Sequence, residues 1–216
     1  MAIQNTLPDP NNSITPSGED SGSGAVAGPG FSSVSVTSQQ PISINRSNSG
    51  LAFRSVNKYQ NFTVNISYNK LTKEEFNIVY SFLLEKQASL EAFFVQLPQY
   101  GNTAAGTKNI NADASAGTNQ LILANTTNIA PGDLFSVTIP SDDTHVKVYK
   151  VTKIVSSVIV ITPQLQRPID VSNSGTETAN FGAPKMRVTY SGSNIQYSVD
   201  ASGLYSFSVK LEETLS

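Results

Sequence analysis

Cysteine is absent from the 216 residues, which removes disulfides, zinc-thiolate sites and thiol catalysis. Tryptophan is missing as well, and the only histidine is His145. Charge is scarce: Asp, Glu, Lys and Arg make up 14% of the chain, against about 25% in ordinary soluble domains. The net charge of −2 offers no basic footprint for gripping nucleic acid. No apolar run approaches the roughly 18 residues that a membrane-crossing helix needs. The first residues lack the basic-plus-apolar pattern of a secretory signal. With the missing cysteine, that leads us to expect a chain made in a reducing compartment.

Ser, Thr, Asn, Gln and Gly fill the gap, and hydrophobic residues reach only 38%. This suits many short strands with polar faces better than charged, helix-rich architecture. The length is generous for one small domain and short for two, so one domain plus an insertion or arm is expected.

The chemical inventory is thin. His145 sits in Ser141-Asp142-Asp143-Thr144-His145, where a Ser/His/Asp triad or a metal site would have to form. The segment lies between two apolar alternations, Leu134 to Ile139 and Val146 to Val151, and begins beside Pro140. Pro-Ser-Asp-Asp-Thr is turn chemistry, so a hairpin loop accounts for it. Gly22, Gly24 and Gly28 mimic a phosphate loop, but no strand precedes them and no Gly-Lys-Ser/Thr follows. The carboxylate pair Glu74/Glu75 opens a helix, where acids favour the dipole, and Glu212/Glu213 ends the chain. No catalytic residue, metal site or cofactor is expected, and no enzyme.

Residues 1–30 form an arm holding Pro8, Pro10, Pro16, Pro29 and scattered aliphatics. Such a stretch buries too little apolar surface to order itself. Ile3, Leu7 and Ile14, spaced by prolines, suit a strap docking on a neighbouring subunit. From Phe31 strands begin, and Phe62, Val64, Ile66 and Tyr68 give the cleanest alternation, with Thr63, Asn65 and Ser67 on the other face. One helix stands out, about Thr72 to Ala88. Thr72-Lys73-Glu74-Glu75 is a capping box, and Phe76, Val79, Tyr80 and Leu83 form one stripe. A strand at Phe93 to Leu97 follows. After a bland stretch, Leu121–Leu123, Leu134–Ile139, Val146–Val155 and Val158–Ile161 suggest a small barrel. A second bland linker leads to strands at Met186–Tyr190, Ile195–Val199 and Leu204–Leu211. The expected organisation is therefore an arm (1–30), a discontinuous host domain (31–104 plus 178–216) and an inserted barrel (105–177).

Between Arg54 and Pro98 the chain resembles a bacteriophage tail protein of the distal-tail and tail-tube-like family. The likeness rests on the strand Phe62–Tyr68, the helix start Lys73-Glu74-Glu75-Phe76, the exit Glu91-Ala92-Phe93-Phe94-Val95-Gln96-Leu97-Pro98 and the final strand Leu204 to Glu213. The insert, through Pro131-Gly132-Asp133-Leu134-Phe135 and Val148-Tyr149-Lys150-Val151-Thr152, is similar to small β modules spliced into phage structural proteins. The resemblance implies a mainly β (α+β) fold: a tail-tube-like β-sandwich with one flanking α-helix and an inserted small β-barrel. It further implies a homohexameric ring in the virion tail, joining tail tube to baseplate hub around a channel through which genomic DNA passes transiently. Synthesis would be in the host bacterial cytoplasm. Thr63, Asn65, Ser67, Ser206, Ser208 and Lys210 are then the candidate channel lining, since hydroxyls and amides do not hold phosphates. An ordinary solvated sheet face is the alternative for these residues. The alternative function is a carbohydrate- or receptor-binding β module of a phage tail.

Overall fold

The structure is a computed structural model that describes residues 5–14, 26–40, 42–56, 60–87, 90–138, 146–171, 177–192 and 194–214. Its strands begin with β1 (Ser13–Ile14), β2 (Val26–Ala27), β3 (Ser33–Gln39), β4 (Ile42–Arg46), β5 (Ala52–Val56) and β6 (Asn61–Leu71). Helix α1 (Lys73–Glu85) follows, then β7 (Phe93–Gln96), β8 (Thr107–Asn109), β9 (Gln120–Ile122) and β10 (Leu134–Thr138). The rest are β11 (Val148–Val155), β12 (Val158–Thr162), β13 (Thr178–Asn180), β14 (Lys185–Tyr190), β15 (Tyr197–Val199) and β16 (Tyr205–Glu213). The chain is mainly β with antiparallel sheets and one α-helix among the described residues, in keeping with the expected β-sandwich type.

Two compact units are present: residues 1–37, 63–99 and 185–216 in the first, residues 38–62 and 100–184 in the second. The first holds a sheet in the order β3-β6-β16-β14-β7, with β15 paired to β16. Alternation decides which side is buried. Val64, Ile66 and Tyr68 of β6 share the inner face with Phe207, Val209 and Leu211 of β16. Helix α1 covers that face with Phe76, Val79, Phe82 and Leu83. Phe82 meets Phe93 edge-on at 5.3 Å, and Phe76 meets Phe207 edge-on at 5.5 Å. Each such ring, fully buried, contributes about 1.5–3 kcal/mol.

The helix begins where it does because Thr72 stands in extended backbone and its hydroxyl accepts from the Glu75 amide at 3.3 Å. The Glu75 carboxylate accepts in return from the Thr72 amide at 2.8 Å. Two amides that would lack partners in the first turn are thereby satisfied.

In the second unit the strands run β8-β13-β10-β11-β12-β9, and the two end strands meet. Ile110 bridges Leu123, Asn111 N–H donates to Ile122 O at 2.8 Å, and Ala124 N–H to Asn109 O at 2.9 Å. The sheet is therefore a closed barrel. Its interior includes Leu121, Phe135, Tyr149, Val151, Ile159 and Phe181, with Phe135 stacked on Phe181 at 4.8 Å. The same unit takes in Ser38–Phe62. Buried Lys147 donates to Gln60 O at 3.0 Å, Thr162 Oγ1 to Gln60 Oε1 at 3.1 Å, and Gln60 Nε2 to Ser38 Oγ.

Candidate functional site

The pairing of β6 with β16 fixes the outer, polar face of the first unit. Asn65 lies opposite Lys210 and Ser67 opposite Ser208, with Asn65, Ser208 and Lys210 exposed and Ser67 half-buried. Because a sheet's side-chain period is two, every second residue joins the same face. Ser206 is reached through a bulge: Asn69 and Lys70 oppose this single residue, and Lys70 takes a positive φ of 57°. Ser206 Oγ donates to Asn69 Oδ1 at 3.0 Å and accepts from the Lys70 amide at 3.3 Å.

Ser67, Asn69, Ser206 and Ser208 line an open trough of about 570 Å³ with Ser32 and Ser198, while Asn65 and Lys210 lie outside it. Ser32 donates through both its amide and its hydroxyl to Ser67 O, at 2.9 and 2.8 Å. Ser198 Oγ donates to Ser206 O at 3.3 Å. The trough offers hydroxyls and amides in quantity, and most are engaged with neighbouring backbone. It carries the geometry of a smooth polar surface and no acid–base pair.

Thr63 departs from the face expected of it. It is 6% exposed, and its hydroxyl has no hydrogen-bond partner among the described residues. Alternation along β6 puts it opposite Glu212, yet burial removes it from the solvent-facing set. The face also carries charge. β14 pairs with β16 through Thr189 and Glu212, so Arg187 and Lys185 join the same side. Lys185 Nζ lies 4.2 Å from the Phe94 ring centre. The face is thus neutral around Ser67 and Ser208, and bears Lys210, Glu212, Arg187 and Lys185 toward β14.

The arm residues separate. Leu7 is wholly buried within its own unit. Its amide donates to Phe94 O at 2.8 Å while Phe94 N–H donates to Asn5 O at 2.7 Å, a short parallel addition to the edge of β7. The docking partner expected for Leu7 was a neighbouring subunit; in the structure it is this chain's own sheet. An apolar side chain beside an unpaired strand edge satisfies burial and backbone bonding together. Ile14 pairs with Val26 in the β1–β2 ribbon, and Ile3 lies outside the described residues. Gly28 belongs to this dock as well: its amide donates to Asp9 O at 3.1 Å, and a Cβ there would overlap the Pro8–Asp9 peptide.

Asp9 is fully buried. Its Oδ1 accepts from the Asn11 amide at 2.7 Å, the Asn12 amide at 3.0 Å and Asn12 Nδ2 at 2.9 Å. Oδ2 has no partner among the described residues, nor does the buried Tyr68 hydroxyl. Burial pushes the Asp9 carboxyl above its ordinary range, while the hydrogen bonds it accepts pull the other way. Burial also raises Tyr68, helped by the charge of Asp9. No periodicity in the sequence announces this pair, although a proline-flanked Asp is a local turn signal.

His145, with Ser141, Asp142 and Asp143, lies outside the described residues. Among the described residues no three His, Cys, Asp or Glu side chains gather as a metal site would require. Among them, too, no helix is long and apolar enough to cross a membrane.

Comparison with known proteins places the chain near the phage distal tail proteins. Residues 20–100 match the family model described as distal tail protein pb9, A domain, N-terminal. Distal tail protein pb9 of Escherichia phage T5 is 29% identical over 196 residues, spanning 87% of this chain and 94% of that protein. The family match covers the arm's second half, β3 to β7 and α1, while the pairwise match extends through the barrel.

Proposed function

Starting from a chain related to the phage distal tail proteins, we propose that it is a structural subunit of the virion tail. It forms a homohexameric ring at the distal end that joins the tail tube to the baseplate or tail tip and surrounds the DNA channel. The relative is by name a distal tail protein, which supports the location. What carries the channel reading is the cross-strand set Asn65–Lys210 and Ser67–Ser208, continued by Ser206. Around Ser67, Ser206 and Ser208 the wall is hydroxyls and amides, which let a polyanion slide; the cations Lys210, Arg187 and Lys185 toward β14 stand beside Glu212, which opposes a firm hold on phosphates. Asn65, Ser67, Ser206, Ser208 and Lys210 form the proposed lining, and Thr63 leaves it. The barrel, expected as residues 105–177, is read as a module through which the ring meets other tail components.

The experiment is to place Ser67→Arg and Ser208→Arg together in the infectious particle. Particles should assemble normally and release DNA several-fold more slowly, with the delay shrinking as salt is raised. Unchanged release at every ionic strength would remove these residues from the channel wall.

A further inference from the structure

Tyr197 belongs to the aromatic cluster packed on α1, yet it is 48% exposed, whereas Phe76 and Phe207 are buried. Its register partner is Phe207, which turns it to the helix side of the sheet, while Ser198 turns to the trough. Its ring centre lies 4.9 Å from that of Phe76 and 5.5 Å from that of Tyr80. Packing fixes one part of the ring and the rest meets solvent. The result is a flat apolar surface set in place before any ligand arrives.

An open groove of about 550 Å³ runs beside it, between the end of α1 and the segment entering β15. Tyr80, Leu84 and Ile195 supply its apolar parts, and Gln87, Asn194 and Gln196 its amides. Among the described residues no acid or base lines it. The three amide residues are exposed, and each side chain brings two donors and an acceptor. Gln87 directly follows the helix cap Lys86 and holds a φ of 47°. Glycine is the usual residue at that position, because a side chain there strains the backbone. Strain of this kind is retained where the side chain serves a purpose, and here the residue forms part of the groove wall.

We propose that this groove binds a neutral oligosaccharide, with one pyranose ring laid on Tyr197 and its neighbour held by the amides of Gln87, Asn194 and Gln196. A pyranose carries an apolar C–H face and a rim of hydroxyls that donate and accept. A flat aromatic surface beside amides, which do both as well, matches that pattern. The missing charge decides the class: a phosphate, a nucleic acid or an acidic peptide would find no cation here, and a basic ligand no carboxylate. Sugar binding goes beyond the ring reading, and the two stand or fall separately.

The test is calorimetric titration of the full-length chain with neutral hexasaccharides of glucose, mannose and galactose. At least one should bind with a Kd of about 1 mM or tighter. Tyr197→Ala should weaken that binding about tenfold, while Tyr197→Phe, which keeps the ring, should leave it within about twofold. Gln87→Gly relieves the left-handed strain, so it should raise the melting temperature while weakening binding about fivefold. A residue with a structural role alone would not split the two readouts. Ser67→Arg with Ser208→Arg, on the outer face, should leave sugar binding unchanged. Circular dichroism confirms that each variant folds. If none of the three sugars binds at about 10 mM, the proposal falls. Binding that survives both Tyr197→Ala and Gln87→Gly, or that is lost only with the two arginines, also overturns it.

Discussion

In the barrel unit the end strands β8 and β9 close on each other through Ile110 and Leu123, whereas the sheet unit stays open. There, among the described residues, a few residues of the arm cover the β7 edge, and β3 remains at the other margin. A closed barrel has no strand edge left to offer another chain. An open sheet with a short strap and a polar outer face keeps surfaces available for assembly. If the proposed self-assembly holds, the contrast directs the search for it to the sheet unit, with the barrel interior serving stability.

The largest effect should come from the barrel. Phe135→Ala empties a fully buried ring position stacked on Phe181, at a cost of about 3–5 kcal/mol. Denaturation followed by near-ultraviolet circular dichroism should show an earlier transition for the barrel, leaving the helix-containing unit folded. A single shared transition would mean that the units do not behave separately. Leu7→Ala attacks the strap and should cost about 2–5 kcal/mol. That cost falls locally, read as faster hydrogen exchange at the Leu7 and Phe94 amides. Were exchange there unaltered, the arm would not be held by Leu7. Thr72→Ala removes the capping hydroxyl and should cost about 1 kcal/mol, seen as a lower denaturation midpoint with unchanged oligomer.

The smallest effect concerns pH. Burial holds the folded pKa of Asp9 above its unfolded value. The strap is accordingly most secure below the unfolded value, and that advantage is lost as pH rises through the folded one. Exchange of the Leu7 amide should therefore quicken with rising pH beyond its intrinsic chemical dependence. Asp9→Asn should flatten this excess, and an excess that persists in the variant would assign the titration to another group.

Much of this was legible locally. Thr72 and Glu75 announced the cap because its chemistry spans four residues. Phe62 to Tyr68 announced a strand with one apolar side because the period is two. What escaped depends on long-range pairing. Arg187 and Lys185 join the polar face only through the register between β14 and β16, which a single strand does not encode. Thr63 keeps the right parity yet is buried, since parity sets a side and not its exposure. Leu7 reads as a strap anchor in sequence, but the groove that receives it is defined by Phe94, far along the chain. The Gln60, Lys147 and Thr162 network likewise joins residues with no shared periodicity.

We propose that this molecule works by assembling with copies of itself around an opening. Native mass spectrometry of the purified chain across a concentration series tests it most directly. The account predicts a single closed hexamer that grows at the expense of monomer as concentration rises, and imaging of that species should show a central hole. A chain that stays monomeric to the highest concentration reached would contradict it.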